Sequence, residues 1–252
     1  MNTRLSECNQ FLRSMELKRD NIESFSYYPF SLPVIKGLST LAFHPKVTFI
    51  VEENGSGKST ILEAIAVACG FNPEGGTINF NFSSMDTHSE LFNYIKIVKG
   101  VKKPKDGFFL RAESFYNVAT NIDELDREAP GLISSYGGKS LHKQSHGESF
   151  FSVFMNRFGG SGLYILDEPE AALSPARQMA MLSRIHELVK SNSQFIIATH
   201  SPIIMAYPDA VIYEINDKIE AVKYEKSEHY QIMKSFINNK NKMLEILIDD
   251  LE

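Results

Sequence analysis

The chain has 252 residues, 43% of them hydrophobic and 23% charged, which is ample material for a packed core. Its net charge of -5 argues against unaided nucleic-acid binding, which basic surfaces carry. No apolar run approaches the roughly 18 residues of a membrane helix, "MNTRLSECNQFLRS" has no signal-peptide core, and Cys8 and Cys69 form no CxxC pair, so a soluble cytoplasmic chain with free thiols is expected.

In chain order, "VTFIV" at 47–51 is a short β-branched run and predicts a buried strand. After a glycine-rich turn, "TILEAIAVAC" places Ile61, Leu62, Ile65, Ala66, Ala68 and Cys69 at helical spacing, with Gly70 as the C-terminal cap. Residues 77–113 predict strands, in "TINFNF", "FNYIKIV" and "GFFLRAE". Residues 115–143 predict short helices and loops. "ESFFSVFMNRF" predicts a helix closed by Gly159 and Gly160, and "GLYILDEP" a second buried strand. "SPARQMAMLSRIHELVK" predicts a helix with Ser174 as N-cap and Pro175 at its first position. "QFIIATH" predicts a third buried strand, "AVIYEI" and "KIEAVKY" a hairpin across Asn216-Asp217, and 228–251 one or two amphipathic helices. Buried strands alternating with helices predict an α/β fold with a mostly parallel core sheet flanked by helices, and the early strands predict an antiparallel β-subdomain.

The strand, glycine loop and helix around "ENGSGKST" are the context a phosphate-binding loop requires. Backbone N–H groups and a helix N-terminus make an anion nest for a triphosphate. Asn54, Gly55, Ser56 and Gly57 would supply that backbone, and the glycines admit close approach. Lys58 would reach the β- and γ-phosphates, Ser59 would hold Mg²⁺, and Thr60 would bind an α-phosphate oxygen. The G-x-x-x-x-G-K-[ST] spacing puts a glycine at position 52, where this chain has Glu52. A carboxylate there repels a triphosphate unless it points away, so nucleotide binding is expected to be weakened rather than abolished.

Three further pieces follow. "LYILDEPE" delivers Asp167 and Glu168 to the carboxyl end of a buried strand, where open α/β sheets bind ligands. Asp167 would hold Mg²⁺ through water and Glu168 would polarise the attacking water. "SHGES", 145–149, opens a helix and makes a second anion site from Ser145, Gly147 and Glu148. A chain with two anion sites could share each nucleotide between two subunits; a plain helix N-cap is the alternative. His200 ends the strand in "ATHSP", where it is either structural or a hydrogen-bond donor that senses a γ-phosphate.

In order and spacing these pieces resemble the ABC-type ATPase family of P-loop NTPases. "ENGSGKST" looks like its Walker A loop, "SHGES" like the signature of SMC-like and RecF-like heads, and "LYILDEPE" like Walker B with the catalytic glutamate. "AALS" at 171–174 is similar to the D-loop and His200 to the switch histidine. The resemblance spans about residues 15–225, is nearest to bacterial stand-alone predicted ATPases of this type, and leaves 226–252 as a helical tail on one ATPase domain. It implies ATP and Mg²⁺ as ligands, with Lys58, Glu168 and His200 as catalytic residues. It also implies a homodimer closed by ATP and opened by hydrolysis, acting on a partner protein that the chain does not name.

Some positions depart from the family pattern. No clear counterpart of its Mg²⁺-contacting glutamine is present; Glu113, ending "FFLRAE", is the candidate for that metal contact alongside Ser59 and Asp167. Ser174 replaces a D-loop aspartate and His146 a signature glycine. Tyr27, Tyr28 and Phe30 lie where the family stacks an aromatic on adenine. The basic stretch "VKGVKKPK" is read as a solvated hairpin loop, with an acidic partner or nucleic acid as the alternative. Two competing functions stay open: a non-hydrolysing, nucleotide-dependent assembly module and a P-loop kinase of small metabolites. Transport, DNA repair and phage defence all use such heads.

Overall fold

The structure, a computed structural model, describes residues 10–52, 57–78, 89–171, 173–216 and 218–248. Its centre is a six-stranded sheet. It is built from β3 (Val47–Glu52), β5 (Asp106–Arg111), β6 (Gly162–Asp167), β7 (Gln194–Ala198), β8 (Ala210–Ile215) and β9 (Ile219–Val222), in the order β5-β6-β7-β3-β8-β9. Every pairing is parallel except β8 with β9, the predicted hairpin. A second sheet, β2-β1-β4, is antiparallel and uses β1 (Leu12–Leu17), β2 (Thr40–Ala42) and β4 (Ile95–Lys99). The α/β class and both sheets match the sequence expectation.

β3, β6 and β7 are buried along their whole length. That is why they read as continuous apolar runs rather than alternating ones: helices or a second sheet cover both faces. On one face Val47, Phe49 and Val51 of β3 join Phe108, Leu110, Tyr164, Leu166, Phe195 and Ile197. They pack under α3 (Phe115–Glu128), α4 (His146–Asn156) and α5 (Pro175–Lys190). On the other face Ile50, Phe109, Ile165 and Ile196 pack with α2 (Lys58–Cys69) and the antiparallel sheet. Because α2 lies between two sheets, its residues 61–66 are all buried. Burial also pushes the Cys69 thiol up to about 12, so it is inert.

Local signals place the helix ends, those of the short α1 (Pro33–Gly37) and α6 (Pro202–Met205) included, each with a proline in its first turn. Ser174 caps α5 by accepting the Arg177 N–H, with Pro175 at the first position. Gly70 ends α2 at φ 98. The sequence reading differs from the structure in three places, the first at "FNYIKIV", where residues 92–94 belong to a tight helical turn, Glu90–Tyr94, ahead of β4. Residues 115–128 form one 14-residue helix rather than short pieces. Most of "TINFNF" lies outside the described residues. The basic stretch is not a hairpin: it carries the chain from β4 in one sheet to β5 in the other. After a helical turn at Tyr224–Lys226, α7 (Glu228–Asn238) and α8 (Lys240–Leu247) form the predicted tail, and neither buries a side chain. Among the described residues no helix is long and apolar enough to cross a membrane.

Candidate functional site

Parallel register brings the motif ends together. Asp167 of β6 pairs with Ala198 of β7, Ile50 of β3 pairs with the same Ala198, and the Thr199 N–H donates to Ile50 O at 3.2 Å. The carboxyl ends of β3, β6 and β7 therefore form one rim, which carries Glu52, Asp167, Glu168 and His200. β5 adds Arg111, register partner of Asp167.

Asn54, Gly55 and Ser56 lie outside the described residues. Gly57 adopts φ 109, a left-handed conformation that favours glycine, and a Cβ there would also press on Leu32 Cδ1 at 2.9 Å. Lys58 then opens α2 and is only 2% exposed. Its ammonium lies beside His200 Nε2 and 3.2 Å from Glu168 Oε1. The Ser59 hydroxyl donates to Asp167 Oδ1 at 3.2 Å. His200 Nε2 is 3.2 Å from Glu168 Oε1. Lys58, Ser59, Asp167, Glu168 and His200, all selected from sequence, thus form one contact network. Thr60 stands at its edge, its hydroxyl 3.4 Å from Tyr28 Oη. Tyr28 is exposed, whereas Phe30 is core.

Glu52 does not point away. It is buried, and its Oε2 accepts the Lys58 backbone N–H at 3.1 Å. The carboxylate occupies the helix N-terminus that a phosphate would use, where the helix dipole favours any anion. A phosphate at that helix N-terminus would compete with it. Glu52→Gly and Glu52→Gln are each expected to tighten ATP about tenfold. Titration calorimetry checks this; unchanged affinity in both variants would refute the competition.

Electrostatics separates the two acids. Burial pushes the Asp167 carboxyl up to about 6, against the pull of Arg111 and Lys58. Glu168 is half-exposed; burial pushes it up, but Lys58 and His200 outweigh that and hold it below the usual carboxylate range. It is ionised at neutral pH. Its backbone sits at φ 51, a left-handed conformation unusual outside glycine. A raised folded-state value means that ionising Asp167 costs stability. The cost is absent in acid, grows from the ordinary carboxylate range to about pH 6, and is full above it. Asp167→Asn is expected to stabilise the nucleotide-free protein by about 2–3 kcal/mol at pH 7.5 and by nothing at pH 4. Melting temperatures at the two pH values check it; equal shifts at both would contradict the assignment.

A buried carboxylate and a hydroxyl in contact are hard oxygen donors of the kind Mg²⁺ takes. Asp167 and Ser59 fit that ion. Glu113 does not join them: its side chain is 84% exposed and meets Arg111 Nη2 at 3.3 Å. Lying two residues past β5, it clears the rim, and the side chain that β5 brings to Asp167 is Arg111, a cation and no metal ligand. Arg111 reaches Asp167 Oδ2 at 3.6 Å and Glu63 Oε2 at 2.8 Å.

The signature-like turn stands apart. Ser145 N–H and Oγ both donate to Glu148 Oε2, at 3.1 and 2.6 Å, in a capping box that starts α4. Hydrogen bonds from Ser145 hold Glu148 below the usual range, and Arg177 faces it at 4.0 Å. Gly147 lies in the first turn of α4. His146, in place of a glycine, packs edge-on against Phe115. His142 meets Thr120 and the Tyr116 ring. Arg19 donates to Lys36 O and Leu38 O, a structural clamp.

Three residues of the site were not picked out from sequence. Arg111 had a signal, a cation ending a buried strand. Glu170, whose Oε1 accepts the His200 N–H, and His229, 3.1 Å from His200 Nδ1, had none.

A family model described as an AAA ATPase domain matches residues 148–205, from α4 through β6, α5 and β7 to the short helix after His200. The ABC transporter ATP-binding/permease protein Rv1747 of Mycobacterium tuberculosis is 23% identical over 193 residues, 71% of this chain and 22% of that protein. The chain thus spans about a fifth of that relative's length. The cobalt import ATP-binding protein CbiO of Salmonella typhimurium is 23% identical over 205 residues, 76% of this chain and 72% of that protein. Among solved structures, an SMC head bound to the C-terminal winged-helix domain of ScpA covers 86% of this chain and 99% of its own. It is 16% identical, with a TM-score of 0.48. In motif order, sheet topology and sequence matches the chain is similar to P-loop ATPase domains of the ABC type.

Proposed function

We propose that this chain binds ATP with Mg²⁺ and hydrolyses it as an ABC-type homodimer whose opening and closing act on a partner protein. The observation that carries this reading is the convergence of Lys58, Ser59, Asp167, Glu168 and His200 on one rim. Lys58 is poised to exchange Glu168 and His200 for phosphate oxygens. Glu168, ionised, accepts a proton from the attacking water. His200 Nε2 faces the same point and donates to the γ-phosphate. Asp167 and Ser59 would hold Mg²⁺, which offsets charge on the phosphates when bound.

Ser145, Gly147 and Glu148 head a different helix and bond among themselves. That supports their use on the nucleotide of a second copy. In this reading residues 1–252 act as one ATPase domain, with 226–252 as its tail, in the cytoplasm. The test is phosphate release from Mg·ATP over a range of protein concentrations. Specific activity that rises with concentration is expected for a composite site. Activity that is flat with concentration contradicts the dimer, and no release at any concentration contradicts the enzyme. Glu52 on the Lys58 N–H favours one competing reading, a nucleotide-dependent assembly module that does not turn over. That reading predicts ATP-dependent association without phosphate release.

A further inference from the structure

The tail carries apolar surface that nothing among the described residues covers. Ile232, Met233, Phe236 and Ile237 of α7 are all exposed, and α8 adds Ile246 and Leu247. Exposed apolar side chains grouped in this way mark a binding surface, unlike the scattered ones normal on a protein. His229, Met233 and Phe236 stand at i, i+4 and i+7, so they share one face of α7, flanked by Ile232 and Ile237. The head of that face is docked. His229 Nε2 lies 3.1 Å from His200 Nδ1, and the Tyr230 ring packs on Tyr224 at 4.7 Å. The Glu228 N–H donates to Glu214 Oε1 at 2.8 Å, Tyr224 Oη donates to Pro202 O at 2.9 Å, and Ser227, the N-cap, is fully buried. The helix is thus fixed in direction at the rim. Past Tyr230 its apolar face runs on bare, and every residue from 231 to 242 is exposed.

Whatever covers this face must match an apolar middle between charged ends. Glu228 opens α7, Lys240 and Lys242 open α8, and the apolar side chains of α7 lie between. Lys234, also between them, is engaged by the Tyr230 ring at 5.3 Å. An order that runs from acid to base is complementary to its own reverse, and a two-fold contact presents a patch to itself in reverse. Laid antiparallel about Lys234 and Ser235, Ile232 meets Ile237 of the second copy and Met233 meets its Phe236. Glu228 then falls opposite Asn241 of the second copy, between Lys240 and Lys242. A membrane surface fits less well. The polar side mixes Glu228 and Glu245 with Lys234, Lys240 and Lys242, and the chain carries a net charge of -5, whereas helices that lie on anionic membranes have a cationic polar face.

We propose that the bare face of α7 is a nucleotide-independent docking surface for α7 of a second copy, the two helices lying antiparallel. The inference deepens the homodimer reading and rests on it for the second copy. Paired tails would act as a tether, raising the effective concentration of one rim for the other before ATP closes them. The contact is small, so association is expected in the micromolar range rather than as a permanent dimer.

The test is sedimentation of the full, nucleotide-free chain over a range of concentrations, beside phosphate release. A monomer–dimer equilibrium is expected. Ile237→Asp changes a side chain that is 67% exposed, so folding is spared. It should weaken the dimer about tenfold and move the rise of specific activity to higher protein concentration, with the plateau unchanged. Glu228→Lys should weaken the dimer several-fold, and so should Lys240→Glu combined with Lys242→Glu. An equimolar mixture of those two variants should regain wild-type association as a heterodimer, because both end contacts then pair opposite charges. A chain that is monomeric at its highest soluble concentration would overturn the proposal. So would a dimer that Ile237→Asp leaves intact, or a mixture that associates no better than its components. Binding to phosphatidylserine vesicles that Ile237→Asp abolishes, with no dimer in solution, would assign the face to a membrane instead. Should a charge variant not fold, Ile237→Asp still decides. If the wild type releases no phosphate, the hydrolysis reading fails, while sedimentation still judges the tail.

Discussion

Glu168→Gln is expected to lower ATP turnover by about 10²–10³-fold while ATP stays bound. The carboxylate is kept ionised by Lys58 and His200, each with a nitrogen 3.2 Å from Oε1. It can therefore take a proton at neutral pH, which an amide cannot. The change is isosteric and preserves the φ 51 backbone, so the loss reads chemistry rather than folding. It also frees Lys58 from an ion pair, which favours phosphate binding. With binding intact and opening blocked, the variant should accumulate as an ATP-dependent dimer in sedimentation. Turnover within threefold of wild type would remove Glu168 from the role assigned to it.

Arg111→Met is expected to destabilise the nucleotide-free protein by about 3–5 kcal/mol. The guanidinium is 14% exposed and stands between two acids that are more buried still, Glu63 at 11% and Asp167 at 6%. Methionine fills similar space but leaves Glu63 without its cation and Asp167 with only the pull of Lys58, and breaking a buried pair costs more than the pair contributes. For a chain of this size the melting temperature should fall on the order of 10 °C. Mg²⁺ with nucleotide brings positive charge to Asp167, so the ligand-induced rise in melting temperature should be larger in the variant than in wild type. A drop under 2 °C, or an equal ligand effect, would show that Arg111 is not the balancing charge.

These two residues mark what could be read in the chain. Glu168 was legible because its neighbours in sequence define it: an apolar strand that ends in two acids announces a strand end in an open sheet. Lys58, Ser59 and the α2 helix were legible for the same local reason. Arg111 and His229 were not, since their meaning comes from partners 56 and 29 residues away, at Asp167 and His200. Glu113 was misplaced because a strand's end must be known to the residue: β5 stops at Arg111, and two steps further the side chain has left the rim.

The sequence by itself determined the α/β class, the buried strands, the helix caps and the order of the four motifs, because periodicity, glycine and capping chemistry act over a few residues. Only the tertiary structure decided which way Glu52 turns. A carboxylate near a glycine loop can face water or the helix N-terminus, and the choice depends on the packing that buries it onto the Lys58 N–H. It also decided that the tail's first turn touches His200, which required the fold of the whole chain to bring α7 to the rim.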